Sequence, residues 1–325
     1  MATLLSPGDQ IKCWKIVEYL SSSNALSYVA EYVPGNSGQK TAGQLDQLMW
    51  GIPEGFDPKR DKVFLKQFVD PGYHDAILKP FVRYQNRIQR KINSCWKKCN
   101  CFCRELDSFI CDVPGKRGYY QVQELFPGNR SLKVCLEKNS LQWKELRFIA
   151  RKMVYGLQLL HCAGIVHADL KPDNLLVVDN IDPVTKRPYP IPTDLRIIDF
   201  DSSLLVNEKT PRHTLSGNPG TYRYRGTEQY LSPEHFTGKI PVPASDIFTT
   251  GIILCEMLSP DGHPFPYAHE EYRKAVREGK CNLKKLRCRG GQSVVKAIKA
   301  CFSMNPEDRP TAEQLLSELM LPEAI

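Results

Sequence analysis

Short runs rich in aromatic and β-branched residues fill the first third of the chain: Ile16 to Tyr19, Tyr28 to Val33, Val63 to Val69 and Tyr119 to Phe126. Such runs read as strands, and a small sheet is the simplest way to pair them. Residues 34–62, between the second run and the third, carry Gly35, Gly38, Gly43, Gly51, Pro53, Gly55 and Pro58 and read as a long inserted loop. From His74 to Ser94 the spacing turns helical, with Ile77, Phe81, Val82, Tyr84, Ile88 and Ile92 forming an apolar stripe. Beyond Leu141 helices dominate. Leu146, Ile149, Met153, Leu157 and Leu160 recur at helical intervals, and similar patterns cover 244–258, 272–278, 292–302 and 311–321. The pattern predicts a small β-rich lobe and then a larger helical lobe, with the boundary near Pro127 to Ser131.

With 325 residues, 42% hydrophobic and 25% charged, the chain can bury a sizeable core, which excludes disordered and collagen-like classes. The longest uncharged apolar stretch, Ile247 to Cys255, is about half of what a membrane span needs. No membrane span is expected. The first residues, Met1 to Lys12, lack the pattern of a secretory signal, so a cytoplasmic location is expected. There the 12 cysteines are expected as thiols or metal ligands rather than disulfides. The net charge of +8 is uneven: Lys79, Arg83, Arg87, Arg90, Lys91, Lys97, Lys98 and Arg104 follow one another with no acid between 79 and 104. A solvated helix face is the reading adopted for this run, ahead of an acidic partner or nucleic acid.

Candidate chemistry begins after the helix that ends near Cys162. There stands Gly164-Ile165-Val166-His167-Ala168-Asp169-Leu170-Lys171-Pro172-Asp173-Asn174-Leu175-Leu176, and later the strand-like Leu195-Arg196-Ile197-Ile198 leads into Asp199-Phe200-Asp201. Phosphoryl transfer from a nucleotide needs a carboxylate to orient the acceptor hydroxyl and take its proton. It also needs a carboxylate and an amide oxygen to hold magnesium, and cations to absorb phosphate charge. These segments supply all of them. Asp169 is placed as the base, Lys171 can reach the γ-phosphate, and Asn174 and Asp199 offer the hard oxygens that suit Mg2+. Singly each would be a cap or turn residue; in this order, each bounded by an apolar strand, they form a catalytic set.

Further on come Gly226-Thr227-Glu228-Gln229-Tyr230-Leu231-Ser232-Pro233-Glu234, then Asp246 opening an apolar helix, and Asn305-Pro306-Glu307-Asp308-Arg309-Pro310. With the two earlier segments, these motifs resemble the protein kinase family over about Ile11 to Leu321. The resemblance implies an α+β, bilobal protein-kinase-like fold with a β-rich N-lobe at 11–126, the insertion at 34–62, a hinge at 127–131 and a helical C-lobe at 132–322. It implies ATP and Mg2+ as cofactors and proteins as substrates. Lys171 after Asp169, and Thr227 ahead of Ser232-Pro233-Glu234, are similar to serine/threonine kinases, which implies serine or threonine acceptors. Lys66 sits where the family places its phosphate-binding lysine, ahead of Lys62 at the loop edge. Gln123 to Gly128 resembles the hinge, which implies adenine contacts from the backbone of Glu124 and Phe126 with Gln123 at the back of the pocket. Glu234 and Arg309 are implied as a buried ion pair.

The chain also departs from the family. The nucleotide-covering loop is normally glycine-rich so that backbone amides can approach phosphates. Leu20 to Val29 contains no glycine; Ser22, Asn24 and Ser27 take those places, with Val29 following, so weak rather than absent ATP binding is expected. The family pairs its strand lysine with a helix glutamate, yet between Lys66 and Glu105 the acids are Asp70 and Asp75 alone, and a neutral Gln85 or Gln89 stands in. Ala168 replaces a common arginine. Asp201 replaces a glycine, as in small-molecule phosphotransferases, but those lack a segment like Thr227 to Glu234 and rank second. A pseudokinase acting as an interaction scaffold is a further alternative, favoured by the altered loop.

Cys95, Cys99, Cys101 and Cys103 could in number make a zinc site, but no Cys-x2-Cys knuckle is present and Cys101 and Cys103 on a strand would share one face. Buried thiols are expected. His161, His213, His235, His263 and His269 show no ligand spacing and receive no role, and Asp179 to Asp194 reads as a proline-bearing insertion.

Overall fold

The computed structural model describes residues 4–22, 25–33, 57, 61–68, 75–96, 99–111, 113–116, 118–126, 128–181, 185, 187–208, 227–259, 262–266, 268–282 and 291–320, with the backbone alone at 21, 22, 75–78, 96 and 269. Two units emerge: Met1–Asn93 with Cys103–Pro127, and Ser94–Phe102 with Gly128–Ile325. The first is β-rich and the second mainly helical, the α+β class expected.

In the first unit the strands are β1 (Gln10–Ile11), β2 (Trp14–Ser22), β3 (Ala25–Tyr32), β4 (Val63–Phe68), β5 (Glu105–Cys111) and β6 (Gly118–Glu124), with helix α1 (Asp75–Trp96) between β4 and β5. They form a six-stranded antiparallel sheet in the order β1-β2-β3-β4-β6-β5. Alternation along β4 sends Val63 and Leu65 into a core with Trp14, Ile16, Tyr28, Tyr120 and Val122. Each such side chain contributes about 1.5–3 kcal/mol on burial. The opposite face receives α1, whose Phe81 and Val82 pack on Tyr119 and Phe68.

Lys79, Arg83, Arg87, Arg90 and Lys91 are exposed on the outer side of α1, as a solvated face requires. Arg104 departs from that run, turning its guanidinium to Glu124 at 3.3 Å. Lys97 and Lys98, and all of the 34–62 loop except 57, 61 and 62, lie outside the described residues. Strand β5 has no counterpart among the expected elements. Its Glu105, Asp107 and Ser108 are polar yet 1–3% exposed; Lys12 meets Asp107 at 2.6 Å and Asn86 accepts from Ser108 at 3.0 Å.

The second unit contains β7 (Arg130–Ser131), α2 (Leu132–Glu137), α3 (Trp143–Cys162), β8 (Ile165–Val166), β9 (Leu175–Ile181), β10 (Pro188–Ile197), β11 (Leu204–Leu205), α4 (Pro233–Phe236), α5 (Pro243–Leu258), α6 (His269–Arg277), α7 (Gly291–Cys301) and α8 (Ala312–Met320). The 179–194 stretch is the outer part of a hairpin: β9 and β10 pair antiparallel from Leu175↔Ile197 to Asp179↔Thr193, then again at Ile181↔Pro188. The apolar stretch in α5 is a core helix, almost wholly buried. At Gly251 it crosses α7 so closely that a Cβ would sit 2.7 Å from the Cys301 Cβ. Among the described residues no helix is long and apolar enough to cross a membrane.

Glu234 and Arg309 meet as the resemblance implied, with Oε1 2.7 Å from Nη1 and side-chain exposures of 6% and 0%. Nη1 and Nε donate to the carbonyls of Ala244 and Ser303 at 2.8 Å, and the guanidinium lies 5.1 Å over the Phe248 ring. The carboxylate contact is a charge pair rather than an aligned hydrogen bond. Arg309→Ala leaves Glu234 buried with no countercharge and is expected to cost about 3–5 kcal/mol in denaturant unfolding. Next to Glu234, burial holds the His235 imidazole down at about 4 from an ordinary 6.5, despite the nearby carboxylate. Below about pH 6.5 the unfolded chain takes up a proton that folded His235 refuses until about pH 4, so stability falls as pH drops through that window. Denaturant melts at about pH 7 and about pH 4.5 should differ by about 2–3 kcal/mol from this group, and His235→Asn should flatten that difference.

Candidate active site

The loop from His167 to Asn174 is held from beneath by one carboxylate. Asp246, in the first turn of α5 and 2% exposed, accepts from the backbone N–H of His167 at 2.8 Å and of Ala168 at 2.9 Å, and lies 3.0 Å from His161 Nε2 at the end of α3. Burial alone would raise its pKa; the His161 contact and these backbone donors reverse that and hold the carboxyl below its ordinary value. The bond to Ala168 fixes a residue with φ of 64°, a left-handed conformation that costs a non-glycine residue about 1–2 kcal/mol. His161, assigned no role from sequence, is therefore part of the support. Its one signal was position, at the end of the helix that precedes the catalytic loop.

His167 orders the next layer. Its Nδ1 accepts from the Asp169 N–H at 3.3 Å, so the other ring nitrogen carries the proton and donates to the Ile198 carbonyl at 3.1 Å. Ile198 N–H in turn donates to the Asn174 carbonyl at 3.0 Å. These bonds couple the catalytic loop to Asp199, which has φ of 64° and opens a short 3-10 turn through Phe200.

On this frame Asp169 Oδ2 lies 3.3 Å from Lys171 Nζ and 3.4 Å from Asn174 Nδ2. Asn174 Nδ2 also donates to the Asp169 carbonyl at 2.8 Å, which leaves its Oδ1 as the acceptor to offer a cation. Lys171 donates to Thr227 Oγ1 at 2.8 Å, tying the catalytic loop to the segment that runs into Ser232-Pro233-Glu234. Burial raises the Asp169 pKa above the ordinary carboxylate value, with Asp199 adding to the rise and Lys171 and His167 opposing it. A raised pKa suits a proton acceptor. Asn174 and Asp199 as an amide oxygen and a carboxylate fit Mg2+, which takes few protein ligands and keeps waters and phosphate oxygens.

The β-rich unit carries the other expected residues. The register Ser27↔Lys66 and Val29↔Phe64 sets Ser27, Val29 and Lys66 on the α1 side of the sheet. Lys66 Nζ lies 5.3 Å over the Phe68 ring. Lys66 pairs with Gln121 and Gln121 with Ser108, which bonds Asn86 of α1 at 3.0 Å. Gln89 is a turn further along and donates to Asn93 at 3.0 Å. Glu124 uses its carboxylate on Arg104, accepting from the backbone N–H at 3.1 Å and the side chain at 3.3 Å, and its own N–H donates to the Arg104 carbonyl at 3.0 Å. Phe126 follows β6 and is half-buried. Of Ser22 only the backbone pairing with Leu26 is described, and Asn24 lies outside the described residues.

The cysteine cluster needs correction. Cys99 and Cys101 are joined in a disulfide, where thiols or metal ligands were expected. Only Phe102 makes a strand-like bridge, to Ile197, so no strand carries Cys101 and Cys103 on one face. Cys95 turns its Sγ to the Leu159 carbonyl at 3.6 Å and Cys103 to that of Glu124 at 3.5 Å. The zinc site at Cys95, Cys99, Cys101 and Cys103 does not form, and among the described residues no group of three or more His, Cys, Asp or Glu gathers for a metal.

Replacing Asp246 by Asn puts an N–H2 group against backbone donors that need acceptors. Asp246→Asn is expected to lower unfolding stability by about 3 kcal/mol and to strip hydrogen-exchange protection from the His167 and Ala168 amides before the rest of α5.

Residues 99–320 match the family described as the protein kinase domain. Among similar proteins, the serine/threonine-protein kinase STE20 of Kluyveromyces lactis is 30% identical over 178 residues, 54% of this chain and 16% of that protein. The calcium and calcium/calmodulin-dependent serine/threonine-protein kinase of Pisum sativum is 29% identical over 206 residues, 62% of this chain and 35% of that protein. The probable serine/threonine-protein kinase PkwA of Thermomonospora curvata is 28% identical over 193 residues, 59% of this chain and 23% of that protein. The chain thus spans only a minor part of the length of these curated relatives. Because the matched region takes in the Asp246-supported loop, Asp199 and the Glu234–Arg309 pair together, the chain belongs to the protein kinase domain family.

Proposed function

We propose that this chain transfers the γ-phosphoryl group of ATP to serine or threonine hydroxyls of protein substrates. The observation that carries the reading is the placement of Asp169, whose Oδ2 lies within 3.4 Å of both Lys171 Nζ and Asn174 Nδ2, on a loop fixed from below by Asp246. Asp169 accepts the acceptor hydroxyl, aims its oxygen for in-line attack and takes the proton as the bond forms. Lys171 offsets charge on the moving phosphoryl group, and the Thr227 bond holds it in one rotamer for that task. Magnesium, when bound, neutralises phosphate charge, and Asn174 Oδ1 with the Asp199 carboxylate are the groups that would hold it. Lys66 is assigned to the α- and β-phosphates, beside Ser27 and Val29, with Gln85 or Gln89 of α1 as its neutral neighbour. The backbone of Glu124 and Phe126 is assigned to adenine.

A cavity of about 500 Å3 lies beside the loop within the helical unit, lined in part by Pro172, Asp173, Thr227, Tyr230, Glu256 and His263. Its position next to Thr227 and Lys171 suits a polypeptide that brings a hydroxyl to Asp169, and favours a protein substrate over a small-molecule one.

The test is radiolabel transfer from Mg-ATP to a general protein substrate, with phosphoamino-acid analysis. Label is expected on serine and threonine. Asp169→Asn should reduce kcat by about 10^2 to 10^4 while the thermal shift produced by Mg-ATP persists. A variant as active as the parent, or a parent that binds nucleotide and labels nothing, including itself, overturns the reading.

A further inference from the structure

The cysteine cluster is outside the catalytic set, yet it is wired to it. Cys99 and Cys101 bracket Asn100 in the segment that runs from α1 to β5. Asn100 Oδ1 accepts from Lys152 Nζ of α3 at 2.7 Å, and its amide reaches Asp194 of β10 at 3.5 Å. Lys152 and Asp194 form an ion pair of their own, to which Arg196 adds a bond at 2.7 Å. The neighbour on the other side, Cys101, is fully buried, accepts the Ile197 N–H at 2.7 Å and rests against α3 at Gly156, where a Cβ would come within 3.2 Å of its own.

From Cys101 the contacts lead straight to the metal-binding turn. Phe102 bridges Ile197 and lies edge-on to Phe200 at 6.1 Å between ring centroids. Phe200 follows Asp199 and packs at 5.2 Å on His167, the ring that orients Asp169. The bond between Cys99 and Cys101 therefore closes the loop whose tip anchors Asn100 and whose exit seats Phe102. All of these residues belong to one unit of the fold.

The two sulfurs differ in access. Cys99 is half-buried and so open to a solvent-borne reagent, whereas Cys101 is enclosed and can react only with its neighbour. Cys95 Sγ lies 3.6 Å from the Leu159 carbonyl and Cys103 Sγ 3.5 Å from that of Glu124, while Cys99 and Cys101 hold each other. The Cα atoms of Cys99 and Cys101 are 5.4 Å apart, within the range a disulfide requires. Disulfides that form inside cells are usually transient and redox-sensing.

We propose that Cys99 and Cys101 are a reversible oxidation site at which hydroperoxide closes the disulfide and thereby braces the Asp199-Phe200 turn. The Cys99 thiolate attacks the peroxide oxygen, giving the sulfenic acid and releasing water once a proton is added. The Cys101 thiolate then attacks that sulfur and expels hydroxide, which leaves as a second water. Two thiols and one hydrogen peroxide become one disulfide and two waters. A dithiol reductant reverses the step by exchange, leaving its own disulfide. In the reduced state Asn100 and Phe102 lose their closed loop, and the turn carrying Asp199 is less firmly seated. The functional half of this statement rests on the kinase reading; the chemical half does not.

The whole chain is treated with hydrogen peroxide or with a dithiol, its remaining thiols are alkylated, and the peptides are read by mass spectrometry. After peroxide, Cys99 and Cys101 should resist alkylation together, and after reduction both should accept it. Reduction should lower Tm by about 2–4 °C, a change absent in Cys99→Ser. Phosphoryl transfer should fall about two- to thirtyfold on reduction of the parent, with Cys99→Ser unresponsive. Cys101→Ala serves as the second variant should the serine not fold. Alkylation of Cys99 after peroxide, its pairing with Cys95 or Cys103, or an equal Tm in both states overturns the proposal. If the parent transfers no phosphate, the kinase reading fails while alkylation and Tm still decide the oxidation site.

Discussion

A carboxylate removed from water must be repaid in hydrogen bonds, and Asp246 is where this chain does it. Its two oxygens take the amides of His167 and Ala168 and the ring of His161, joining the end of α3, the start of α5 and the catalytic loop at one point. Much else follows from that junction. Ala168 can stay left-handed because its N–H is held, and the turn that this creates presents Asp169. His167 keeps a single tautomer because Asp169 and Ile198 use its nitrogens in opposite senses. Bonds between backbone groups and a buried side chain thus help to bring the two acidic residues assigned to catalysis and metal binding into one electrostatic neighbourhood.

The rest of the helical unit keeps that neighbourhood in place from the other side. Thr227 holds Lys171, while Glu234 and Arg309 anchor the stretch that follows Thr227 onto α5 and the Asn305–Pro310 region. A buried ion pair adds little net stability, since desolvation offsets most of the attraction. Its value here is registry: with the carbonyls of Ala244 and Ser303 also bound, the guanidinium accepts only one arrangement of the chain around it.

The β-rich unit departs more from its family. The Leu20–Val29 stretch has no glycine and α1 carries glutamines but no glutamate, so hydroxyl and amide groups stand where the family has glycines and an acid. In the helical unit, by contrast, the buried Asp246 is met by two backbone donors and His161.

Much of this was legible in the order of residues. Helical spacing located α1, α3, α5, α7 and α8 to within a residue or two, because each buries a single stripe and 3.6-residue periodicity records exactly that kind of one-sided burial. The candidate catalytic residues were legible because the chemistry proposed for them demands particular side chains at short separations. Other features could not be read in this way. Strand β5 is buried with acids on it, and Asp107 meets its countercharge in Lys12, remote in sequence. The β9–β10 hairpin carries prolines that masked its pairing. His161 acquires a role from Asp246, 85 positions away. Cys99 and Cys101 are near neighbours in sequence, yet nothing in their spacing told their bond from two thiols. The chain itself thus determined which groups are present and which stripes are buried, since both depend on neighbours within a few residues. Which distant group satisfies each buried charge was decided only by tertiary structure, because that choice is made by close approach in space.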